Sequence, residues 1–410
     1  MTAPESIKSA TEQPPLEGIR VLDFSRIIAG PLCTQQLADM GADVIKVENP
    51  DGGDDTRRMT SPNVGGEAHF FLAFNRSKQS LSVDPRTEDG KKILLRLLED
   101  TDILVENYRP GVMKKFGLDY ESLKKHFPKL IYLSVSAYGQ TGPLWDRPGF
   151  DPVLQAESGM MSLTGDPSGE PMRHALSLVD TMTGLQAVGA ICAALLARIK
   201  SGKGQHIDLA LMDMAVASLG NAALFYLCSG EQPKRAGNSH ITSTPTNLFY
   251  AADGPLYMAL GTNRLYRQLC EDVLERPDLV NDPRFLEPSD RLKNRPALFE
   301  ILRDIFEKKP REEWLKRMHH LPAGPVQTLG EALESEVVAA RGMVAEVDHP
   351  TAGNIRILGS PLNFSSSKLR QFKAPPLLGQ HNEEILKHRL GYDDETIANL
   401  KTRGVIGGKA

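Results

Sequence analysis

The stretch "IRVLDFSRIIAGPLCTQQLADMGADVIKVE", residues 19–48, places two short apolar runs on either side of a segment of helical character. "IRVLDF" reads as a buried strand, "GPLCTQQLADMG" as a helix ending at Gly41, and "ADVIKVE" as a second strand. Strand, helix and strand in this order form a βαβ unit. Its strands are parallel, because a parallel pair needs a crossover connection. The cycle then repeats. "SLSVD" (80–84), "EDGKKILLRLLED" (88–100) and "DILVENY" (102–108) give strand, amphipathic helix and strand, and a helix near "YESLKKHFP" leads to the run "LIYLSVSAYG". Such alternation predicts an α/β chain built on a doubly wound, Rossmann-like parallel sheet, with ligands at the carboxyl ends of its strands.

The rest of the chain extends this reading. After "GFDPVLQAESGMMSLTG" (149–165) comes "SLVDTMTGLQAVGAICAALLARIK" (177–200), an apolar helix, and then "GKGQHIDLALMDMAVASLGNAALFYLC" (202–228), a strand running into a long helix. From about Ala236 the character changes. Two strand-like runs surround a turn at Asp253-Gly254, and charged helices follow to about Leu321, as in a smaller α+β domain. A strand pair around "HPTAGNIRI" and a tail containing "APPLLGQH" close the sequence, and composition alone leaves open which domain they join.

Composition narrows the function. The 410 residues exceed what one core usually organises, and 40% hydrophobic with 24% charged residues describe an ordinary globular protein. A net charge of −4, with no basic run interleaved with aromatics, argues against nucleic acid as a partner. Cys33, Cys192, Cys228 and Cys270 are widely spaced, which excludes a structural zinc cluster and a disulfide scaffold and makes a cytoplasmic setting the expectation. The polar start, residues 1–14, is expected to be a flexible tail without a signal sequence. The longest weakly polar run, residues 184–197, is expected to be too short to span a bilayer.

Several loops carry candidate chemistry. Glu48, at the end of the second strand, stands where dinucleotide enzymes hold a ribose, but "SRIIAG" replaces their glycine fingerprint, so Glu48 is expected to be a solvated acid. The acids of "DGGDDTRR" (51–58) lack calcium-loop spacing, while Arg57 and Arg58 beside a strand end suit a carboxylate or phosphate. Asn107, Arg109, Lys114 and Lys115 surround a Pro-Gly turn that suits phosphate. There is no serine nucleophile elbow and no HExxH motif, so hydrolase and metal readings fall away. Asp180 is well placed as the N-cap of the apolar helix, and the helix dipole there favours its ionised, nucleophilic form.

Taken in order, "PLEGIRVLDFSRIIAGPLCTQQLADMGADVIKVENPDGGDDTR", "FNRSKQSLSVD", "ILVENYRPG", "GFDPVLQAESGMMSLTG", "LVDTMTG", "KSGKGQHIDLALMD" and "APPLLGQH" resemble the class III CoA-transferases, from about Pro15 to the carboxyl end. The resemblance implies a large CoA-binding domain from both ends of the chain (residues 15–235 and 331–410), a small domain at 236–330, and an interlocked homodimer. It also implies that Asp180, in "LSLVDTMTG", is the nucleophile, working through an acyl-aspartyl anhydride and an aspartyl-CoA thioester. No permanently bound cofactor is implied; CoA thioesters are the substrates and small carboxylic acids the partners.

By the same resemblance Ile28 and Ala29 lie on the adenine side, and Val83 and Arg86 lie near the nucleotide. Asn107, Tyr108, Arg109 and Lys115 meet the phosphates, and Tyr138 falls in a further contact loop. Asn49 and Ser136 stand where some relatives have an arginine and a lysine, and Arg86, Arg109 and Lys115 offer compensating charge. The racemases of the superfamily carry a histidine before an aspartate where this chain has Phe150-Asp151, which favours transfer over racemisation. The glycine-rich flap of formyl-CoA transferases is replaced by "ALGTNRLYRQ". "AYGQTGP", "GMVAEVDHPTAGNIRI" and "APPLLGQH" are most similar to the succinyl-CoA:dicarboxylate (glutarate) branch. A distal carboxylate there needs a cation, for which Arg26, Arg58 and Arg173 are the candidates.

Overall fold

The structure is a computed structural model that describes residues 13–59 and 62–408, so most of the expected N-terminal tail lies outside the described residues. Two compact units are present. The first takes the described residues up to 158, 174–223 and those from 339 on; the second takes Gly159–Arg173 and Leu224–Val338.

In the first unit the alternation seen in the sequence becomes β1 (Arg20–Asp23), α1 (Ala29–Asp39), β2 (Asp43–Glu48), β3 (Gln79–Ser82), α2 (Glu88–Leu98), β4 (Ile103–Glu106) and β5 (Ile131–Ser136). α3 (Asp151–Glu157), α4 (Leu178–Ser201), β6 (His206–Ala210) and α5 (Leu211–Ala217) follow. The six strands form one parallel sheet in the order β3-β2-β1-β4-β5-β6. Leu22 of β1 pairs with Ile45 of β2 on one side and Leu104 of β4 on the other. The chain therefore winds outward from β1 to β3 and returns to β4 beside β1. That reversal opens a crevice beyond the carboxyl ends of β1 and β4.

Local sequence explains the elements. The central strands are buried along almost their whole length, as parallel strands covered on both faces must be, so they read as apolar runs rather than alternating ones. α2 has Thr87 as N-cap, its hydroxyl accepting the Gly90 N–H, with Glu88 and Asp89 in the first turn. The expected long helix after β6 is broken at 218–219 into Leu211–Ala217 and Gly220–Ser229, where Gly220 takes a positive φ of 49°.

α4 corrects two expectations. It begins at Leu178 with Ser177 as N-cap, so Asp180 is inside the first turn rather than capping it. It also runs for 24 residues with a mean hydropathy of 1.6 over its most apolar window, which meets the length and composition of a bilayer span. In this unit it is a packed helix. Gly184 approaches α1 so closely that a Cβ there would lie 2.6 Å from the Ala29 carbonyl oxygen, and Arg198 pairs with Asp102 at 2.8 Å.

The second unit holds an antiparallel sheet of β7 (Thr246–Ala251), β8 (Gly254–Ala259) and, after the helix α6 (Arg295–Phe306), β9 (Ala323–Pro325), in the order β9-β8-β7. Ala251 pairs with Gly254, so the turn residues are Ala252 and Asp253, one position before the expected turn. Its core joins Phe249, Phe299, Phe306 and Trp314. Arg291 is fully buried there and has no carboxylate partner among the described residues. It donates to the carbonyls of Thr244, Phe285 and Gly261 and lies 4.5 Å from the Tyr266 ring centroid. Gly159–Arg173, expected in the large domain, belongs to this unit.

The C-terminal part returns to the first unit. It forms the hairpin β10 (Val344–His349) and β11 (Gly353–Leu358), and then packs Ile385, Leu386, Ile397 and Leu400 into the core that holds Leu22, Ile45 and Leu81.

Candidate active site

Loops 24–28, 49–58 and 107–111, which follow β1, β2 and β4, meet at the crevice. Their geometry is set from within. Asn107 accepts the Arg26 N–H at 2.8 Å through Oδ1 and donates to the Arg26 carbonyl at 2.7 Å through Nδ2. Beneath them Lys46, fully buried on β2, donates to the Ser25 carbonyl at 2.7 Å and pairs with Asp54 at 2.9 Å. Burial opposes the charge on both partners. Their mutual attraction outweighs it, holding the Lys46 ammonium above its ordinary pKa and the Asp54 carboxyl below its own. Ile27, between these anchors, has φ +70°, a strained conformation for a β-branched residue, and its N–H donates to Asp54 Oδ1 at 3.2 Å.

Two adjoining cavities open over these loops. The first is lined by Arg26, Ile28, Ala29, Asn107, Tyr108, Arg109 and Asp180, together with Ser136, Arg147, Phe150 and Leu211. The second contains Asn49, Arg58, Val83 and Arg86. Arg26, Asp55 and Tyr108 line both, so the two form one elongated track across the strand ends. Arg26 pairs with Asp55 at 2.8 Å and lies 4.8 Å from the Tyr108 ring centroid. Arg86 pairs with Asp84 at 2.8 Å, and Arg58 donates to the Asp51 carbonyl. Arg109 donates to the Asp146 carbonyl at 2.9 Å.

Asp180 sits where two helix N-termini converge, in the first turn of α4 and beside Ile28 and Ala29 at the start of α1. The sequence reading expected the helix dipole to keep it charged. Instead, burial and the neighbouring charge of Asp151 push its carboxyl up to about 7. Asp151 is 3% exposed. Its Oδ2 accepts the Asp180 backbone N–H at 3.0 Å, and its Oδ1 accepts from Gln155 Nε2 at 2.6 Å. Gln155 Oε1 in turn accepts the His174 N–H at 2.8 Å, tying the segment that leads into α4 to α3.

Other expected residues lie elsewhere: Ile28 and Ala29, expected on the adenine side, share the cavity of Asp180 and not the one that holds Asn49, Val83 and Arg86. Lys115 is exposed on a short helix, Val112–Phe116, and lines neither cavity. The Tyr138 hydroxyl donates to Glu157 at 2.7 Å, with Arg147 5.4 Å from its ring, and it lines neither cavity. Arg173 belongs to the second unit. Glu48 is not solvated: it is buried and bound by Arg57 at 2.7 and 2.9 Å. Arg57 is thereby withdrawn from any ligand, as it also pairs with Glu67 at 3.0 Å and packs its guanidinium on the Phe71 ring. The sequence reading gave no role to Asp55, Arg147, Gln155 or Gly184, and it treated Asp151 only as part of a motif contrast. The four-residue spacings Asp151–Gln155 and Asp180–Gly184 were the available signals.

A parallel sheet with an elongated cavity at its switch point suits a long nucleotide-bearing ligand. A half-buried, basic carboxylate at one end suits covalent acyl chemistry. Residues 16–382 match the family model for CoA-transferase family III. The chain is 39% identical over 394 residues to the human succinyl-CoA:glutarate CoA-transferase, covering 96% of this chain and 90% of that protein. It is 39% identical over 382 residues to the succinate–glutarate CoA-transferase of Agrobacterium fabrum, covering 91% and 95%. A CAIB/BAIF family protein from Brucella suis has a solved structure that matches with a TM-score of 0.83 at 38% identity, over 92% of this chain and 100% of that one. On these grounds the chain belongs to CoA-transferase family III and is an enzyme of that family.

Proposed function

We propose that the protein moves CoA from succinyl-CoA to a dicarboxylate of glutarate size, with Asp180 as the nucleophile. The observation that carries this reading is the position of Asp180, at the convergence of two helix N-termini and at one end of the track that gathers Asn49, Val83, Arg86, Asn107, Tyr108 and Arg109 of the expected CoA loops. The Asp180 carboxylate attacks the thioester carbonyl, the C–S bond breaks and CoA thiolate leaves an acyl-aspartyl anhydride. The thiolate then attacks the aspartyl carbonyl, and succinate departs with the C–O electron pair. The acceptor carboxylate attacks the aspartyl-CoA thioester, and the released thiolate takes the new acyl group, freeing Asp180. No net proton is consumed.

The chain's residues support each need of this sequence. The Ala29 and Gly30 N–H groups at the start of α1 have no intrahelical acceptor and suit the oxyanion of each tetrahedral intermediate. Buried Ile28 and Leu211 give apolar walls that limit the access of water, which would hydrolyse the anhydride. Phe150 offers no second base, which favours transfer over epimerisation at C2. The nucleotide end lies over Asn49, Val83 and Arg86, and Arg26 answers the distal carboxylate of the acceptor. Exposed Leu185, Leu196 and Ile199 on α4 form an apolar face that a second copy of the chain covers in a homodimer. Four free cysteines suit a reducing cytoplasm.

The test is to incubate the protein with succinyl-CoA and a panel of mono- and dicarboxylates and to read acyl-CoA products by mass. Dicarboxylates are the expected acceptors. Asp180→Ala is expected to abolish exchange while still binding CoA, and transfer surviving that substitution would overturn the assignment.

A further inference from the structure

We propose that Asp151 is a positioning residue for Asp180, bonding the backbone N–H of the nucleophile and setting a second, buried carboxylate beside it. The inference rests on the reading of Asp180 as nucleophile.

Asp151 is a buried carboxylate without a cation. Among the described residues no lysine, arginine or histidine nitrogen lies within 4.0 Å of it, and its partners are two neutral donors, the Asp180 N–H and the Gln155 amide. Asp180 likewise has no ion-pair partner among the described residues. A second carboxylate beside Asp180 disfavours its ionised form. Burial and the charge of Asp151 are the two causes that raise the Asp180 carboxyl.

The other charged groups near Asp180 are balanced or turned aside. Around the cavity, Arg26 is paired with Asp55, Arg147 is paired with Glu157, and Arg109 donates to a carbonyl. Of the elements packed on α4, α1 carries Cys33 and Asp39, the latter paired with Arg76. α3 carries Asp151 and Glu157, α5 carries Asp213, β5 carries Tyr132, and β6 carries His206 and Asp208. Among the described residues only the Asp151 side chain bonds the backbone of Asp180.

This arrangement has a chemical use. A more basic carboxylate is the stronger nucleophile. Acylation also removes the charge on Asp180, so repulsion from Asp151 is felt by the free enzyme and is released in both the anhydride and the thioester. The same repulsion favours attack over resting ionised.

The test compares pH profiles of kcat/KM for transfer in the wild type and in Asp151→Asn. The amide keeps an acceptor for the Asp180 N–H and removes the charge. The acidic limb is expected to move down by about one pH unit or more, with transfer retained, because one like charge is lost. A limb at the wild-type pH would overturn the proposal. Should Asp151→Asn not fold, carbodiimide labelling of the wild type, mapped by mass at mildly acidic pH, decides the same point. Modification of protonated Asp180 with Asp151 spared is expected, and the reverse pattern would overturn it. Activity in Asp180→Ala instead removes the nucleophile reading itself, so the two failures are distinct.

Discussion

Asn107 grips Arg26 through both atoms of its side-chain amide, accepting from its N–H at 2.8 Å and donating to its carbonyl at 2.7 Å. The pair joins the loops that follow the two strands flanking the switch point, so the track between the cavities has a fixed wall. Asn107→Asp keeps the acceptor and loses the donor; Asn107→Ala loses both. With each net hydrogen bond worth about 0.5–1.5 kcal/mol, the alanine variant is expected to raise KM for acyl-CoA by about 5- to 100-fold, and the aspartate variant by less. Steady-state kinetics with a fixed acceptor will show it, and an unchanged KM in the alanine variant would mean that the clasp does not shape the site.

Gly184 is the point where α4 and α1 nearly touch. A Cβ built there stands 2.6 Å from the Ala29 carbonyl oxygen and 3.2 Å from Leu32 side-chain carbons. Backbone cannot yield as a flexible side chain does. Gly184→Ala is expected to destabilise the protein by about 1–3 kcal/mol despite the better helix propensity of alanine, and to lower kcat because Asp180 is one turn away. Denaturant unfolding and transfer rates measure the two effects.

The alternation of strands and helices was legible because parallel, doubly buried strands write themselves as short apolar runs between helical segments. Asp180 stood out by its place before an apolar helix. Its environment did not, because Asp151 lies 29 residues away in sequence and meets it only through the fold. Arg57 shows the same limit. An arginine beside a strand end reads as a ligand group, yet Glu48, Glu67 and the carbonyl of Pro376, 319 residues on, hold it inside the protein. The helix start was misplaced by a turn because Ser177 and Asp180 are both good capping residues, and only tertiary contacts choose between them.

Lys46 is the buried support of the loops after β1 and β2. Removing its ammonium leaves Asp54 buried without a cation, so Lys46→Met is expected to cost about 3–5 kcal/mol, well beyond the loss of packing. Lys46→Met with Asp54→Leu removes both charges and is expected to recover much of that stability while losing the bond to the Ile27 N–H. Urea denaturation of the single and double variants, with CoA affinity measured on each, separates stability from loop order. Equal stabilities for the two would show that the ion pair is not what holds Asp54.

Asp180 itself is destabilising at neutral pH. Its carboxyl titrates near 7 in the folded protein, above the ordinary carboxylate value of about 3.9 that applies when unfolded, so between these values the folded state binds more protons than the unfolded one. Stability linked to this group is therefore fully present below about pH 4, falls as pH rises, and is lost once pH passes about 7. Asp180→Asn removes the titration while keeping the shape. The thermal midpoint of the variant is expected to match the wild type near pH 4, to exceed it increasingly through pH 5–7, and to hold a constant advantage above that. The linked free energy is on the order of a few kcal/mol. Melting curves of the ligand-free protein across that range measure it. A wild type as stable as Asp180→Asn at pH 8 would mean that the carboxylate is already paid for by contacts other than those around Asp151, and that its basicity in catalysis has another source.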